Sequence, residues 1–244
     1  SEMCIRDRKK DDARFKEEPF ATAPGFFFAN NDIKYEINKL RAKKYVKLSN
    51  ESITYSAAKV TPSTDALKEK PDLSYDKLSW LQRHDRESGD LYGMLPLIRG
   101  MPVALTDHID RSPDKNLLRG RRGYIHSWVL DNEEAKETKF IDGHRVLHKL
   151  PKVAFVQFYK ELDGKEVREE WCLEGLDEKG LYPIFPKRGI WFLDKGRQNP
   201  RLQISRHQIP LAPAFAMTAH AAQGQTLGKG AIVDLLNPGA HAMG

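Results

Sequence analysis

The 244-residue sequence predicts an α/β protein in which a β-rich segment interrupts the α/β pattern. Near the beginning, an apolar strand-like run is followed by a helix-like run, and near the end a helix-like run is followed by a strand-like run. Between these ends lie short apolar segments separated by Gly and Pro, which is typical of a small antiparallel barrel or sandwich. Hydrophobic residues make up 40% of the chain, enough to build a core.

The first elements form a strand–turn–helix unit. Residues 1–18 are charged and nearly free of large apolar side chains, which predicts a disordered tail. The run Phe26 to Ala29 predicts a strand, and the next apolar residues, Ile33, Ile37 and Leu40, have the i, i+4, i+7 spacing of one buried helix face. We assign residues 19–110 to the first part of the α/β domain, with a loop insertion at about 61–90 that carries short helical pieces.

The β-rich segment is predicted to span residues 111–209. It follows a strand from Met101 to Thr106, in which Pro102 stands at the beginning, where a missing N–H is tolerated. Gly120 and Gly123 predict a tight turn before a strand from Tyr124 to Leu130. The remaining strand-like pieces are "KVAFVQFY", "EVREEWCL", "YPIFP", "GIWFL" and "RLQISRHQIPL". Residues 210–244 are predicted to return to the α/β domain, with a helix from Ala214 to Gln223 and a strand from Ala231 to Leu235.

Composition excludes several classes of protein. Cys4 and Cys172 are the only cysteines, so neither a disulfide framework nor a cysteine-rich zinc site is expected. No apolar stretch reaches the ~20 residues of a membrane helix, and we expect an intracellular protein, with nucleus or organelle both possible. The net charge of +6 permits a polyanionic partner without requiring one. Asp107, His108 and Asp110 are interpreted as a polar strand end, not as a metal site.

The stretch "TAHAAQGQTLGKG", residues 218–230, resembles a phosphate-binding loop but does not fit one. In G-x-x-x-x-G-K-[ST] the glycines are further apart, and Gly230 occupies the position of the hydroxyl residue. On a helix from 214 to 223, Ala216, His220 and Gln223 would share one face, with Gly224 as the cap that ends it. Such a face can meet a ligand or simply solvent, and spacing leaves both interpretations open.

A family resemblance bears on this choice. "PLAPAFAMTAHAAQGQTL" resembles the late motif P-L-x-x-A-x-A-x-T-x-H-K-S-Q-G-x-T of superfamily 1 DNA helicases of the RecD and petite-integration-frequency type. The matching residues are Pro210, Leu211, Ala214, Ala216, Thr218, His220, Gln223, Gly224 and Thr226, preceded by Arg206 and Gln208 in the family's R-x-Q. "GMPVALTDHI", "LLRGRRGYI" and "FFFANNDIKYEIN" resemble three further family segments, in the family's order.

The resemblance implies an incomplete RecA-like second motor domain interrupted by a small Src-homology-like β-barrel. It implies that Thr218 and His220 approach single-strand phosphates. We assign further nucleic-acid contacts to Thr106, His108, Arg119, Arg121 and Arg122, and for the three arginines a solvated basic turn stays an open alternative. It also implies that Gln223, Gly224, Gln225 and Thr226 lie near ATP, in a cleft between two motor domains. The sequence departs from the pattern at Ala221, where a basic residue is usual, at His108, where asparagine is usual, and at Arg119-Gly120-Arg121, where N-G-T is usual.

These matches predict a C-terminal fragment of an ATP-dependent DNA helicase, of the kind used in DNA repair and recombination. The 244 residues contain neither a phosphate loop nor the acidic pair that holds magnesium, so ATP and Mg are expected only together with a missing N-terminal RecA-like domain. We therefore assign no catalytic residue and no metal ligand, and we expect single-stranded DNA as the partner and no activity from the chain alone.

Two alternatives stay open. One is a non-enzymatic nucleic-acid or peptide-binding module with a vestigial helicase motif, and the other is a structural protein without a ligand. Six aromatic residues in the β-rich segment would stack bases in a binding module, although such residues more often fill a core. These residues are Trp128, Phe155, Phe158, Tyr159, Trp171 and Trp191.

Overall fold

The fold was analysed in a computed structural model, which describes residues 26–28, 31–132, 139–141, 144–163, 165–218 and 232–233. The helices are α1 (Asn31–Ser49), α2 (Thr64–Glu69) and α3 (Lys77–Leu81), with 3-10 helices at Pro71–Asp76 and Asp85–Glu87. The strands are β1 (Phe26–Phe28), β2 (Thr54–Ala57), β3 (Lys59–Pro62), β4 (Met94–Leu97), β5 (Pro102–Leu105), β6 (Arg122–Val129), β7 (Lys139–Ile141), β8 (His144–Leu147), β9 (Val153–Leu162), β10 (Lys165–Arg168), β11 (Leu181–Ile184), β12 (Lys187–Phe192), β13 (Gln203–Gln208), β14 (Leu211–Pro213), β15 (Ala216–Thr218) and β16 (Ile232–Val233). The molecule is a mixed α/β protein with several sheets.

A three-stranded parallel sheet joins the two ends of the described chain. Its order is β15-β1-β16, and Phe27 of the central strand pairs with Met217 on one side and Val233 on the other. The strand predicted at 26–29 is therefore present, and part of the one predicted at 231–235 is strand too. Parallel pairing of segments so far apart in sequence is the pattern of an α/β domain, in which helices connect the strands.

The predicted helix from Ala214 to Gln223 is wrong over its described part, because Ala216–Thr218 is strand β15. Residues 211–217 are all buried, and a short continuous apolar run does not distinguish a buried strand from a helix. Pairing with β1 supplies the backbone hydrogen bonds that a helix would otherwise make internally. Ala216 therefore lies on a strand and does not share a helix face with His220 and Gln223, which lie outside the described residues.

Helix α1 is present, but its buried face is not the predicted one. Ile33 and Leu40 are exposed, by 40% and 61%, whereas Tyr35, Asn38 and Ala42 are buried. The helix packs on β1, β14 and β15 through the side that carries these smaller or polar residues. Apolar spacing correctly indicated a helix and incorrectly indicated which side faces the sheet.

The β-rich segment forms an open sheet, and no closed barrel is present in the described part of the chain. A six-stranded sheet has the order β10-β9-β6-β5-β14, with β11 also paired to β9. Strands β12 and β13 form a separate three-stranded sheet, in which β13 pairs with β12 on one side and with β3 on the other. Gly123 lies inside β6, not in the predicted turn, which is formed around Gly120 with a φ of 86°. The division of the chain at residues 110 and 209 stays a prediction.

Two apolar clusters form the core. The larger one lies around β4, β5, β6 and β9, and Met101, Val103, Val156 and Phe158 are fully buried in it. The smaller one joins β3, β12 and β13 to the short helices of residues 64–81, which confirms helical pieces in the predicted insertion. Its buried members are Ala58, Val60, Ala66, Leu73, Trp80, Trp191 and Ile204.

The aromatic residues of the β-rich segment mostly serve these clusters. Phe158 and Trp191 are buried, and Trp128 and Trp171 pack, partly buried, against the larger cluster. Phe155 and Tyr159 are half-buried. The core interpretation therefore holds for four of the six.

None of the helices in the described part of the chain is long and apolar enough to cross a lipid bilayer.

Candidate nucleic-acid interface

The end of strand β5 carries the first predicted contact residues. Thr106 directly follows β5, and its N–H donates to the carbonyl oxygen of Pro210 at 2.9 Å, which ties β5 to the start of the helicase-like motif. Its side chain is buried, and its Oγ1 has no hydrogen-bond partner among the described residues. The tie to the motif is therefore made by the Thr106 backbone N–H, and the buried side chain does not present its hydroxyl at the surface.

His108 and Arg119 lie side by side beyond that strand end. The Arg119 N–H donates to Nδ1 of the exposed His108 at 3.3 Å, and the Arg119 guanidinium forms a two-pronged ion pair with Asp90. Arg86 lies 3.5 Å from the same carboxylate. About a third of the Arg119 and Asp90 side chains is exposed, so this pair is a surface ion pair of small net stability. A phosphate can replace such a carboxylate at little cost.

Arg121 and Arg122 point away from Arg119 and are held inside the fold. The Arg121 guanidinium donates to the carbonyl oxygen of Tyr159 at 2.8 Å and pairs with Glu169. Arg122 donates to the carbonyl oxygen of Ala214 at 2.9 Å, and burial lowers its pKa. The three arginines therefore reach three different parts of the structure, and they do not form one continuous basic patch.

Thr218 lies in a different sheet from these residues. It is the last residue of β15, half-buried, and it pairs in register with Phe28 at the end of β1. Strands β1 and β15 run parallel, so their carboxyl ends meet at one edge of the sheet, which is the edge where α/β sheets bind ligands. The predicted residues His220, Gln223, Gly224, Gln225 and Thr226 follow Thr218 in sequence and lie outside the described residues.

The acidic pair near β5 has ordinary partners. Asp107 pairs with Lys187, and Asp110 accepts from the Ser112 N–H at 2.9 Å and from its hydroxyl at 2.6 Å. The Ser112 hydroxyl is the main reason why the pKa of Asp110 is lowered. In the described part of the chain no group of three His, Cys, Asp or Glu side chains is arranged to hold a metal ion.

Asn38 is a residue whose importance the sequence patterns did not reveal. It lies buried on α1, donates from Nδ2 to the Ala216 carbonyl at 3.1 Å and accepts the Ala216 N–H at Oδ1, 2.8 Å away. One side chain thus satisfies both backbone groups of the first residue of β15. The segment "FFFANNDIKYEIN" contained this signal, because an asparagine buried on a helix needs polar partners.

Arg206 and Gln208, the R-x-Q of the resemblance, contact only the protein itself among the described residues. Gln208 donates from Nε2 to the Ser56 carbonyl at 2.8 Å and accepts the Ile209 N–H at 3.0 Å. Arg206 donates to the Ser88 hydroxyl at 2.6 Å, to the Leu91 carbonyl at 2.8 Å and to the Trp80 carbonyl. Burial lowers the pKa of Arg206 to about 10. Both side chains are buried and are held by hydrogen bonds within the fold.

No protein-family model matches the sequence, and no curated protein matches it either. Among solved structures, the chain is similar to a crystal structure of Pif1 helicase from Candida albicans, with 14% identity and a TM-score of 0.49 over 88% of this chain and 46% of that one. It is also similar to unliganded Pif1 from Bacteroides sp, with 14% identity and a TM-score of 0.38 over 86% of this chain and 45% of that one.

A Pif1 helicase from Bacteroides in complex with ADP-AlF3 and ssDNA is similar as well, with 14% identity and a TM-score of 0.41 over 94% of this chain and 37% of that one. The chain thus spans less than half the length of each of these three proteins. Identities and TM-scores this low carry no inference about what this chain does.

Proposed function

We propose that this chain is the second-motor part of a superfamily 1 DNA helicase, where it binds single-stranded nucleic acid and forms one wall of an ATP cleft. The observation that carries the proposal is the position of Thr218. The motif residue stands at the carboxyl end of a parallel strand, and the motif residues His220 to Thr226 follow it directly in sequence. A parallel-strand carboxyl end is the place where α/β proteins present ligand-binding residues.

In this proposal the strand phosphates are held by Thr218, His220, His108 and Arg119. Arg119 exchanges the carboxylate of Asp90 for a phosphate, since both are anions that accept from a guanidinium fork. Arg121 and Arg122 keep their hydrogen bonds to the carbonyl oxygens of Tyr159 and Ala214. In this way they position the turn and do not contact the nucleic acid. ATP and Mg bind only when an N-terminal RecA-like domain supplies the phosphate loop.

Strand binding is tested with a fluorescent oligothymidine by anisotropy at several salt concentrations. We expect His220→Ala and Arg119→Ala each to weaken binding by about 3- to 10-fold and to reduce its dependence on salt. His207→Ala, an exposed histidine on β13, is the matched control and should leave affinity unchanged. Equal affinity of all three variants and the parent chain would contradict the proposed contacts.

Hydrolysis gives a second, independent test. The chain alone should show no ATP hydrolysis that is stimulated by single-stranded DNA, because the residues that orient the attacking water are missing from its sequence. Strand-stimulated hydrolysis by the isolated chain would show that it is not a half-motor.

The binding-module alternative is favoured by the departures of the sequence from the family pattern at Ala221 and His108 and at Arg119-Gly120-Arg121. A motif that had lost its nucleotide would tolerate such changes. Sequencing the transcript upstream of Ser1 separates the two: an in-frame G-x-x-x-x-G-K-[ST] unit supports the helicase, and a reading frame without it supports the module.

A further inference from the structure

Helix α1 has a second apolar row, on the side opposite its packed face. At 100° per residue, Ile33, Ile37, Leu40 and Leu48 point away from the sheet within a sector of about 80°. Ile33, Leu40 and Leu48 are exposed by 40%, 61% and 76%. Lys44 stands in the same row, where its methylene stem can cover apolar surface while its ammonium group reaches solvent. A solvent-facing row of this length on one helix marks a contact surface.

A charged row runs along one edge of this apolar row. It consists of Asp32 and Glu36 in the first half of α1 and Lys43 and Lys47 in the second half, all exposed. Asp32 lies 3.6 Å from His84, Glu36 pairs with Lys39 at 2.9 Å, and both acidic side chains remain more than half exposed. Exposed pairs of this kind exchange partners readily.

The charged row is self-complementary under a two-fold rotation. Asp32 and Lys47 are equally far from the midpoint between Lys39 and Leu40, and so are Glu36 and Lys43. When two copies of a helix pack antiparallel about a two-fold axis, the same edge of each copy meets the other. Asp32 then faces Lys47 of the second copy, Glu36 faces Lys43, and Leu40 meets itself near the axis. In a parallel two-fold arrangement this edge would instead meet the opposite edge of the second copy, so the charged row would not pair with itself.

We propose that α1 is a self-association surface, through which two copies of this chain dimerise with their helices antiparallel. The apolar row forms the dry centre and the charged row forms the rim, which is the usual anatomy of a protein interface. A second copy is favoured over a nucleic acid because the charged row, with two acidic and two basic residues, complements itself, whereas a phosphate backbone would match only its Lys43 and Lys47. One helix pair is small beside the ~1,600 Å² of a standard interface, so we expect a reversible dimer that dissociates on dilution.

Sedimentation velocity of the nuclease-treated full chain, from about 1 µM to about 200 µM, tests the proposal. We expect a monomer–dimer equilibrium. Leu40→Asp should weaken self-association by more than about tenfold, because it places two carboxylates at the axis. Leu78→Asp, at an exposed leucine on α3, is the matched control and should have no effect. Circular dichroism confirms that both variants are folded.

Charge exchange identifies the geometry. Lys43→Glu with Lys47→Glu makes the row wholly acidic and should weaken the dimer about tenfold, and Asp32→Lys with Glu36→Lys makes it wholly basic with the same result. Combining all four substitutions should restore the parent affinity, and mixing the acidic and basic variants should give a heterodimer.

Several results would overturn the dimer. These are a monomer at all concentrations, a dimer that is insensitive to Leu40→Asp, or a mixture of the acidic and basic variants that does not associate. Loss of oligonucleotide affinity in the Lys43/Lys47 variant, with self-association unchanged, would assign the face to nucleic acid instead. None of these results bears on the contacts proposed for Thr218, His220 and Arg119, which are far from residues 31–49 in sequence.

Discussion

Arg206 is fully buried, yet its described hydrogen-bond acceptors are backbone carbonyls and one hydroxyl, with no carboxylate among them. Its guanidinium also lies over the ring of Trp191, 5.1 Å from the ring centre. The acceptors belong to residues 80–91, the segment that connects α3 to β4. One cation therefore holds an irregular segment against β13, and the fork of five N–H groups explains why arginine occupies this place.

Arg206→Met should lower the free energy of unfolding by about 2–4 kcal/mol, because it keeps the apolar stem but removes the donor of the buried Leu91 carbonyl and the link to Ser88. Urea denaturation measures the change. Arg188→Met, at an exposed position on the neighbouring β12, serves as the control and should change stability by less than about 0.5 kcal/mol. Equal effects of the two would show that Arg206 has no special structural role.

Tyr35 makes stability depend on pH in the alkaline range. Burial raises its pKa to about 12, so the unfolded chain releases this proton first as the pH rises. Its contribution is fully present below about pH 10 and is lost as the pH rises from there through about 12. Between about pH 9 and pH 11 the stability of the parent chain should fall by about 1.3 kcal/mol relative to Tyr35→Phe.

Denaturation of both proteins at each pH measures this difference, and the comparison cancels the titration of other groups. Tyr75→Phe, at a tyrosine that is 86% exposed, should show no such dependence. If the difference in unfolding free energy between the parent chain and Tyr35→Phe also stayed constant with pH, the Tyr35 hydroxyl would have to reach solvent.

The sequence located Arg206 and Gln208 through the family pattern but did not reveal what they do. Their partners, such as Ser56, Ser88 and Leu91, come from segments more than a hundred residues away. Local spacing contains no information on contacts of that separation. The same holds for Arg121 and Arg122, which look like a basic turn in sequence and are hydrogen-bonded to the backbone of Tyr159 and Ala214.

At the scale of elements, α1 shows how periodicity succeeds and fails. The isoleucine and leucine row predicted the helix and its position, because any apolar row at that spacing favours a helix. The packed face, however, is built from Tyr35, Asn38 and Ala42, which a hydropathy pattern ranks lower. Asn38 belongs there because its amide completes the hydrogen bonds of β15, a requirement that apolar spacing cannot express.

Asn38→Ala should lower the free energy of unfolding by about 2–4 kcal/mol, since it leaves the buried N–H and carbonyl of Ala216 without their partner. Hydrogen exchange of the Ala216 amide, followed by NMR, should accelerate more than exchange in β9. Asn199→Ala, at an exposed position, is the control and should leave both unchanged. Unaltered exchange at Ala216 would show that β1 pairing alone protects β15.

Gly93 marks the contact of α3 with the start of β4. A β-carbon at residue 93 would overlap the carbonyl group of Leu81, and the Gly93 carbonyl itself accepts the Ala58 N–H at 2.8 Å. Gly93→Ala must therefore push the end of α3 away from the sheet and should cost about 2–3 kcal/mol in unfolding free energy. Gly196→Ala, where a β-carbon meets open space, should cost less than about 1 kcal/mol. Thermal denaturation compares the two, and similar melting temperatures would argue against the close approach.

At the scale of the whole molecule, the two apolar clusters differ in size and in depth. The smaller cluster covers β3, β12 and β13 and the short helices, and it has 7 buried members, whereas the larger cluster has many more; along β12 only Trp191 is buried. Regions with less buried apolar surface open at lower free energy than the main core. We therefore expect the amides of β3 and β12 to exchange through local opening and those of β9 only through global unfolding.

Leu73→Ala should lower the opening free energy of β3 and β12 by about 2–4 kcal/mol and leave the exchange of β9 nearly unchanged, because Leu73 is buried only in the smaller cluster. Leu117→Ala, in the larger cluster, should instead accelerate exchange in both regions. Hydrogen exchange with mass spectrometry distinguishes the outcomes. An equal response of all strands to Leu73→Ala would mean that the molecule opens as one unit.

The sequence predicted the alternation of α/β and β-rich segments, whereas the partners of the strands could not be read from it. By its sequence β13 belongs to the β-rich segment, but in the structure it pairs with β3 from the first part of the chain. β14 reads like the start of the final α/β part and pairs with β5 in the six-stranded sheet. Strand partners depend on which edge is free once the core has formed, and this is a property of the assembled fold.

Residues 203–218 pass in one run through three sheets, as β13, β14 and β15, and from Ile204 to Met217 every side chain except His207 is buried. A single added residue between two of these strands would displace every pairing that follows it. The exposed turn at residues 195–199, by contrast, has room for additional chain. Natural length variation among related proteins should therefore accumulate at that turn and stop abruptly at Gln203, and a tag or inserted domain belongs before that residue.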